Sequence, residues 1–177
     1  IKFVSMKIVW LDINSSYDHS SLALPSLHAQ LPDYLDKQIN WKIVSGVVST
    51  ANSSRIIQEI IEFKPDIIFS TLWLFNHESV IRILKKASKL IDSTIIIGGP
   101  EFLGDNYEFL NNNRYIKAVF RGDGEEQFCT IINCLIEGFP IDEIEGVCTI
   151  SGERVIDNGK AVTKRFSDLI PPENSLF

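Results

Sequence analysis

A chain of 177 residues, 45% hydrophobic and 23% charged, has the size and balance of one globular domain, able to bury roughly 70% of the surface its unfolded form exposes. Its formal net charge of −6 provides no broad cationic field, which argues against a nucleic-acid partner held by phosphate attraction. Cys129, Cys134 and Cys148 are odd in number and match no paired metal spacing, a pattern that fits a reducing compartment better than a disulfide scaffold.

Short β-branched runs alternate with helical periodicity along the chain. The apolar stretch 1–11 is interrupted by Lys2 and Lys7 and lacks a small-residue cleavage site, so it reads as a first strand at 7–11 and not as a signal peptide. On this reading Met6 is the natural start and residues 1–5 are a leader; no apolar run is long enough for a membrane helix, and a cytoplasmic location is expected. Leu22, Leu24, Leu27, Leu31 and Leu35 mark a helix, with Pro25 in its first turn and Pro32 near its end. A second strand follows at 41–45. Ser53 and Ser54 are set to cap a helix that carries Ile56, Ile57, Ile60 and Ile61 on one face. The third strand, 66–70, precedes a helix with Val80, Ile81, Ile83, Leu84 and Ala87. The fourth, 94–98, is almost continuously apolar, as a strand covered on both faces should be. A short helix around 107–110 leads to a fifth strand at 116–120, and Phe128, Ile131, Ile132 and Leu135 recur at helical spacing in the last helix.

Five strands alternating with helices predict an α/β fold: a flavodoxin-like, doubly wound, five-stranded parallel sheet in a Rossmann-like three-layer sandwich, spanning residues 1–138. The pattern changes after Gly138. Residues 146–150, the turn at Ser151-Gly152 and residues 153–156 read as a small C-terminal β-hairpin within 139–165, and 166–177, with its Pro171-Pro172 pair, reads as a linker.

In sheets of this kind ligands bind beyond the carboxyl ends of the strands, where strand order reverses. The loops there are rich in Gly and small hydroxyl residues, which let a ligand approach the backbone closely. The candidates are Asn14, Ser15, Ser16, Tyr17 and His19 after strand one; Ser70, Thr71 and Leu72 after strand three; Gly98, Gly99 and Pro100 after strand four; and Gly122, Gly124 and Glu125 after strand five. Each loop alone has a plain structural reading, since glycines punctuate turns and Glu125 and Glu126 suit a helix dipole. Four such loops on one sheet edge favour a ligand. No GxxxxGK[ST] loop, no GxGxxG after strand one and no GxSxG elbow occurs, and Ser70 stands where a phospho-receiver would carry its Asp. His28 reads as structural and His77 as a surface residue; His19 alone is set to face a ligand, but no Cys, His or carboxylate cluster surrounds it. Cys129 and Cys134 read as small buried hydrophobes. Neither catalytic residues nor a protein-held metal are predicted.

These loops resemble the cobalamin-binding domain of methionine synthase and cobalamin-dependent mutases, with its DxHxxG, SxL and GG motifs after strands one, three and four. Here the positions read Asp12-Ile-Asn14-Ser-Ser-Tyr17, Ser70-Thr-Leu72 and Gly98-Gly99. The chain is more closely similar to the N-terminal domain of cobalamin-dependent radical-SAM proteins, through Gly98-Gly-Pro100, Gly122-Asp-Gly-Glu-Glu-Gln-Phe128, Gly146-Val-Cys-Thr149 and Leu169-Ile-Pro-Pro172, in order and across nearly its whole length. The resemblance implies cobalamin as cofactor and a radical-SAM domain of the same parent chain as partner, of the methyltransferase or magnesium-protoporphyrin IX monomethyl ester oxidative cyclase class. It implies a [4Fe–4S] cluster and S-adenosylmethionine only for that downstream domain, because the three cysteines here do not form CxxxCxxC. Asn14 replaces the ligating His of DxHxxG and Tyr17 its Gly, which implies cobalamin bound base-off without histidine. A flavodoxin-type FMN site in the Ser-rich first loop, or a ligand-free interaction module, are the alternative readings.

Overall fold

The computed structural model describes residues 5–16, 21–50 and 52–177. Most of the expected leader, together with Tyr17 and His19, lies outside the described residues.

The five predicted strands are present and mutually parallel: β1 (Met6–Asn14), β2 (Ile39–Val47), β3 (Ile67–Thr71), β4 (Thr94–Gly98) and β5 (Ala118–Phe120). Two more, β6 (Val147–Ser151) and β7 (Arg154–Asp157), run antiparallel and give the order β2-β1-β3-β4-β5-β6-β7. The sheet is therefore the expected flavodoxin-like one, and the predicted hairpin continues it. β6 covers the edge that β5 would otherwise expose, and Thr149 Oγ1 donates to the Lys117 carbonyl at 2.6 Å. Strand order reverses between β1 and β3, because β1 pairs with β2 on one side and β3 on the other.

Alternation along each strand makes two cores, one on each face of the sheet. Val9, Leu11, Ile68, Ile95, Ile97 and Val119 pack against α3 (Ser53–Phe63), α4 (His77–Ala87) and α5 (Tyr107–Asn112). Ile8, Trp10, Ile67, Phe69, Ile96 and Phe120 face α1 (Ala23–His28) and α6 (Glu125–Glu137). At α3 the capping side chain is Asn52, one residue before the expected serines: its Oδ1 accepts from the Ser54 and Arg55 amides, both at 3.1 Å. The leucine-marked helix is two pieces. The first ends at His28, and Pro32, extended at φ −70° and ψ 147°, begins α2 (Asp33–Asp36).

Residues 166–177 lie back along α1. The Gln30 side chain donates to the Ile170 carbonyl at 2.8 Å and accepts from its amide at 3.0 Å. Near the end of the chain, Ser175 Oγ and His28 Nδ1 are 3.0 Å apart, and the Phe177 ring stands edge-on to His28 with centroids 4.7 Å apart. His28 Nε2 meets Asp36 Oδ1 at 3.0 Å, and the same oxygen accepts from Trp41 Nε1 at 2.8 Å, so an Nε2–H tautomer satisfies every partner. His28 is structural, as its position in the sequence implies. Among the described residues no helix is long and apolar enough to cross a membrane.

Candidate functional site

A cavity of about 680 Å³ opens at the carboxyl ends of β1, β3, β4 and β5 and runs inward between the sheet and helices α1 and α6. Its depth is apolar. Trp10, Phe69, Ile96 and Phe120 present alternate strand positions to it, while Leu27 of α1 and Phe128 and Ile131 of α6 close the opposite wall. Its mouth is small and polar: Asn14, Ser15, Ser70, Thr71, Gly98, Gly99, Pro100, Gly122, Gly124 and Glu125 line it, ten of the residues expected from the sequence. Leu72 does not. It is fully buried in the core on the other face, the side that Ile68 takes by strand alternation, and its amide still donates to the Gly98 carbonyl at 2.7 Å. Ser16, half-buried in the loop after Ser15, also stands outside the cavity wall.

The loops are held by specific bonds. Ser70 Oγ donates to the Leu11 carbonyl at 2.7 Å, tying β3 to β1 across the switch point. The Asn76 side chain is buried; it donates to the carbonyls of Ile13 at 2.9 Å and Thr71 at 3.1 Å and accepts from the Trp73 amide at 2.8 Å. This residue, missed in the sequence, fixes the β3 loop against the end of β1. Asn14 Nδ2 donates to Asp12 Oδ2 at 2.7 Å. Burial pushes the Asp12 carboxyl above its ordinary value, and the bond from Asn14 offsets part of that rise. His77 pairs with Glu101 at 3.3 Å at the start of α4.

The two glycines of the β4 turn differ. Gly99 has φ +116°, and a Cβ there would sit 2.3 Å from the Leu72 carbonyl oxygen, so glycine is required by the fold itself. Gly98 lies on the cavity face, and a Cβ there would meet Phe120 Cβ at an ordinary 3.6 Å. Gly122 is again structural: at φ +102° it bridges to Ala161, whose carbonyl oxygen would be 2.1 Å from an added Cβ.

Sequence reading missed the cavity's apolar walls and the contribution of Ser21, Leu22, Ala23 and Ser26 at the start of α1. Trp10, Phe69, Ile96 and Phe120 carry the same period-two signal as core residues, and nothing local separates a core wall from a cavity wall. Trp10 Nε1 is buried with no hydrogen-bond partner among the described residues. Beside the mouth, Trp73 and Phe75 stack at 6.4 Å with their planes 16° apart, and Leu74 between them is 85% exposed.

A doubly wound sheet with a deep apolar cleft and a small-residue mouth at its switch point defines an α/β ligand-binding domain. Residues 9–132 match the family model of the B12 binding domain, and the chain belongs to that family, whose cofactor is cobalamin. An uncharacterized methyltransferase of Pyrococcus horikoshii is 26% identical over 135 residues, which are 75% of this chain and 28% of that protein. Among solved structures, the radical S-adenosylmethionine methyltransferase TsrM from Kitasatospora setae, with cobalamin and a [4Fe-4S] cluster bound, superposes with a TM-score of 0.67 at 17% identity, covering 94% of this chain and 31% of that one. The cobalamin-dependent S-adenosylmethionine radical enzyme OxsB, with aqua-cobalamin and S-adenosylmethionine bound, gives a TM-score of 0.72 at 15% identity, covering 91% of this chain and 23% of that one. The chain thus spans less than a third of each of these relatives.

Proposed function

We propose that this chain is the cobalamin-holding domain of a cobalamin-dependent radical-SAM protein, with the nucleotide arm of the cofactor in the cavity and the corrin resting across the loops at its mouth. The cavity carries the reading: about 680 Å³ is too little for a whole cobalamin, but its apolar depth, lined by aromatic side chains, and its polar mouth suit a heteroaromatic base with its ribose and phosphate. The chain's own residues would bind and orient. Gly98 leaves the strand end bare, so the arm passes close to the sheet, while the Ser15 and Thr71 hydroxyls are available to phosphate, ribose or amide edges. Asn14 ends β1 at the position of the histidine in DxHxxG, and its amide is already engaged by Asp12. Cobalamin would therefore be held base-off without a histidine, and the apolar pair Trp73 and Phe75 would shield the corrin's edge from water.

Bound cobalamin supplies a cobalt centre able to carry a methyl group or an electron, while this domain supplies position and axial environment. The [4Fe–4S] cluster and S-adenosylmethionine would be held by a downstream radical-SAM domain of the same parent chain. The parent class would be methyltransferase, in line with the Pyrococcus relative and TsrM, or oxidative cyclase.

An anaerobic titration with cobalamin, followed by absorbance and by electron paramagnetic resonance of the cob(II)alamin state, tests this. Saturable binding with a base-off spectrum and no nitrogen splitting on cobalt is the expected outcome. Nitrogen splitting would show a histidine or the cofactor's own base on the metal and overturn the axial assignment. FMN binding in place of cobalamin would overturn the cofactor.

A further inference from the structure

Trp10 sits in the middle of β1, 3% exposed, with its ring in the cavity wall beside Phe69, whose centroid is 6.2 Å away. Its Nε1–H is buried and has no acceptor among the described residues, whereas Trp41 Nε1 is paired with Asp36 at 2.8 Å. Buried donors are nearly always satisfied, and one left open in an otherwise apolar wall calls for an acceptor that arrives with a ligand. The other buried side-chain atom without a partner among the described residues, Thr163 Oγ1, is not in the cavity wall.

Resting on the reading that the cavity receives the nucleotide arm, we infer that Trp10 Nε1–H donates to the imidazole nitrogen of the arm's benzimidazole, making Trp10 the residue that selects a nitrogenous lower base and holds it off cobalt. That nitrogen has one lone pair in the ring plane. It coordinates cobalt when the base is on and is a bare acceptor when the base is off. A hydrogen bond from Trp10 competes for the same lone pair, so it stabilises the base-off form alone. The neighbouring apolar side chains, Phe69, Ile96 and Phe128, offer the ring no competing polar partner.

The test compares the protein and its Trp10→Phe variant against hydroxocobalamin and against a cobamide whose lower base is p-cresol, which has no acceptor nitrogen. Trp10→Phe is expected to weaken hydroxocobalamin about tenfold, the usual effect of removing one buried hydrogen bond, and to change the p-cresol cobamide by less than about twofold. In the protein labelled with ¹⁵N-tryptophan, the Trp10 indole proton should move downfield with hydroxocobalamin and stay in place with the p-cresol cobamide. Equal weakening of both cobamides would make Trp10 a packing residue and overturn the inference. An unmoved indole proton in a protein that binds hydroxocobalamin would overturn it too, even if Trp10→Phe failed to fold. Failure of the wild-type protein to bind any cobamide would overturn the reading on which it rests.

Discussion

At the level of single residues, the Gly98-Gly99 pair shows how one motif divides its work. Gly99 meets a steric requirement, with φ +116° and the Leu72 carbonyl 2.3 Å from where a Cβ would be; Gly98 meets none. Gly99→Ala should lower unfolding stability by roughly 2–4 kcal/mol, combining backbone strain with overpacking, while Gly98→Ala should stay within about 1 kcal/mol of wild type. Urea midpoints followed by circular dichroism separate the two. Asp12 gives a pH signature. Its folded pKa is raised, so between the unfolded value of 3.8 and that higher folded value the native state binds more protons, and stability contributed by the protonated carboxyl is lost as pH rises through the window. Asp12→Asn should flatten that part of the stability profile in urea unfolding at a series of pH values; an unchanged slope would assign it to another group. That the glycine pair lies at a strand end, beside the cavity mouth, was legible from sequence because small residues there are a local signal. Which of the two is needed by the fold was not, because it depends on the Leu72 carbonyl in the loop after β3.

Among the elements, α1 is not self-sufficient. It has six residues, no side-chain cap and a proline in its first turn, so its order depends on what packs on it. The C-terminal segment does so, through Gln30 with Ile170 and through the cluster of His28, Asp36, Trp41, Ser175 and Phe177. Because Ser26 and Leu27 line the cavity, that clasp also braces one of its walls. Deleting residues 175–177 removes the Ser175–His28 hydrogen bond and the two ring contacts of Phe177, with His28 and Trp41; it should cost about 1–3 kcal/mol and should speed amide exchange in α1 while β3 and β4 stay protected. Exchange that rises equally across the sheet would show the clasp to be part of the global core. The strands were legible as β-branched runs. β6 and β7 were legible as a hairpin, but the pairing of β6 with β5 was not, since an open sheet edge is a property of the assembled fold. Residues 166–177 looked like a linker because Pro, Asn and Ser punctuate them; their anchoring to α1 uses single side chains that leave no periodic trace.

Taken as a whole, the molecule places polar chemistry at one end of the sheet and apolar volume behind it. The sequence by itself determined the alternation of strands and helices, hence the parallel doubly wound sheet, and it determined that the small-residue loops share one edge, because in such a sheet every strand's carboxyl end points the same way. Ten of the expected residues meet around one opening for that reason. Only the tertiary structure decided that the space between α1, α6 and the sheet stays open as a cavity, that Leu72 belongs to the opposite core, and that the N–H of Trp10, a residue of the cavity wall, has no partner among the described residues. The physical reason is that periodicity records which face a side chain takes, while a void or an unmet hydrogen bond depends on how far apart the elements on that face are held. That separation is set by residues distant in the chain.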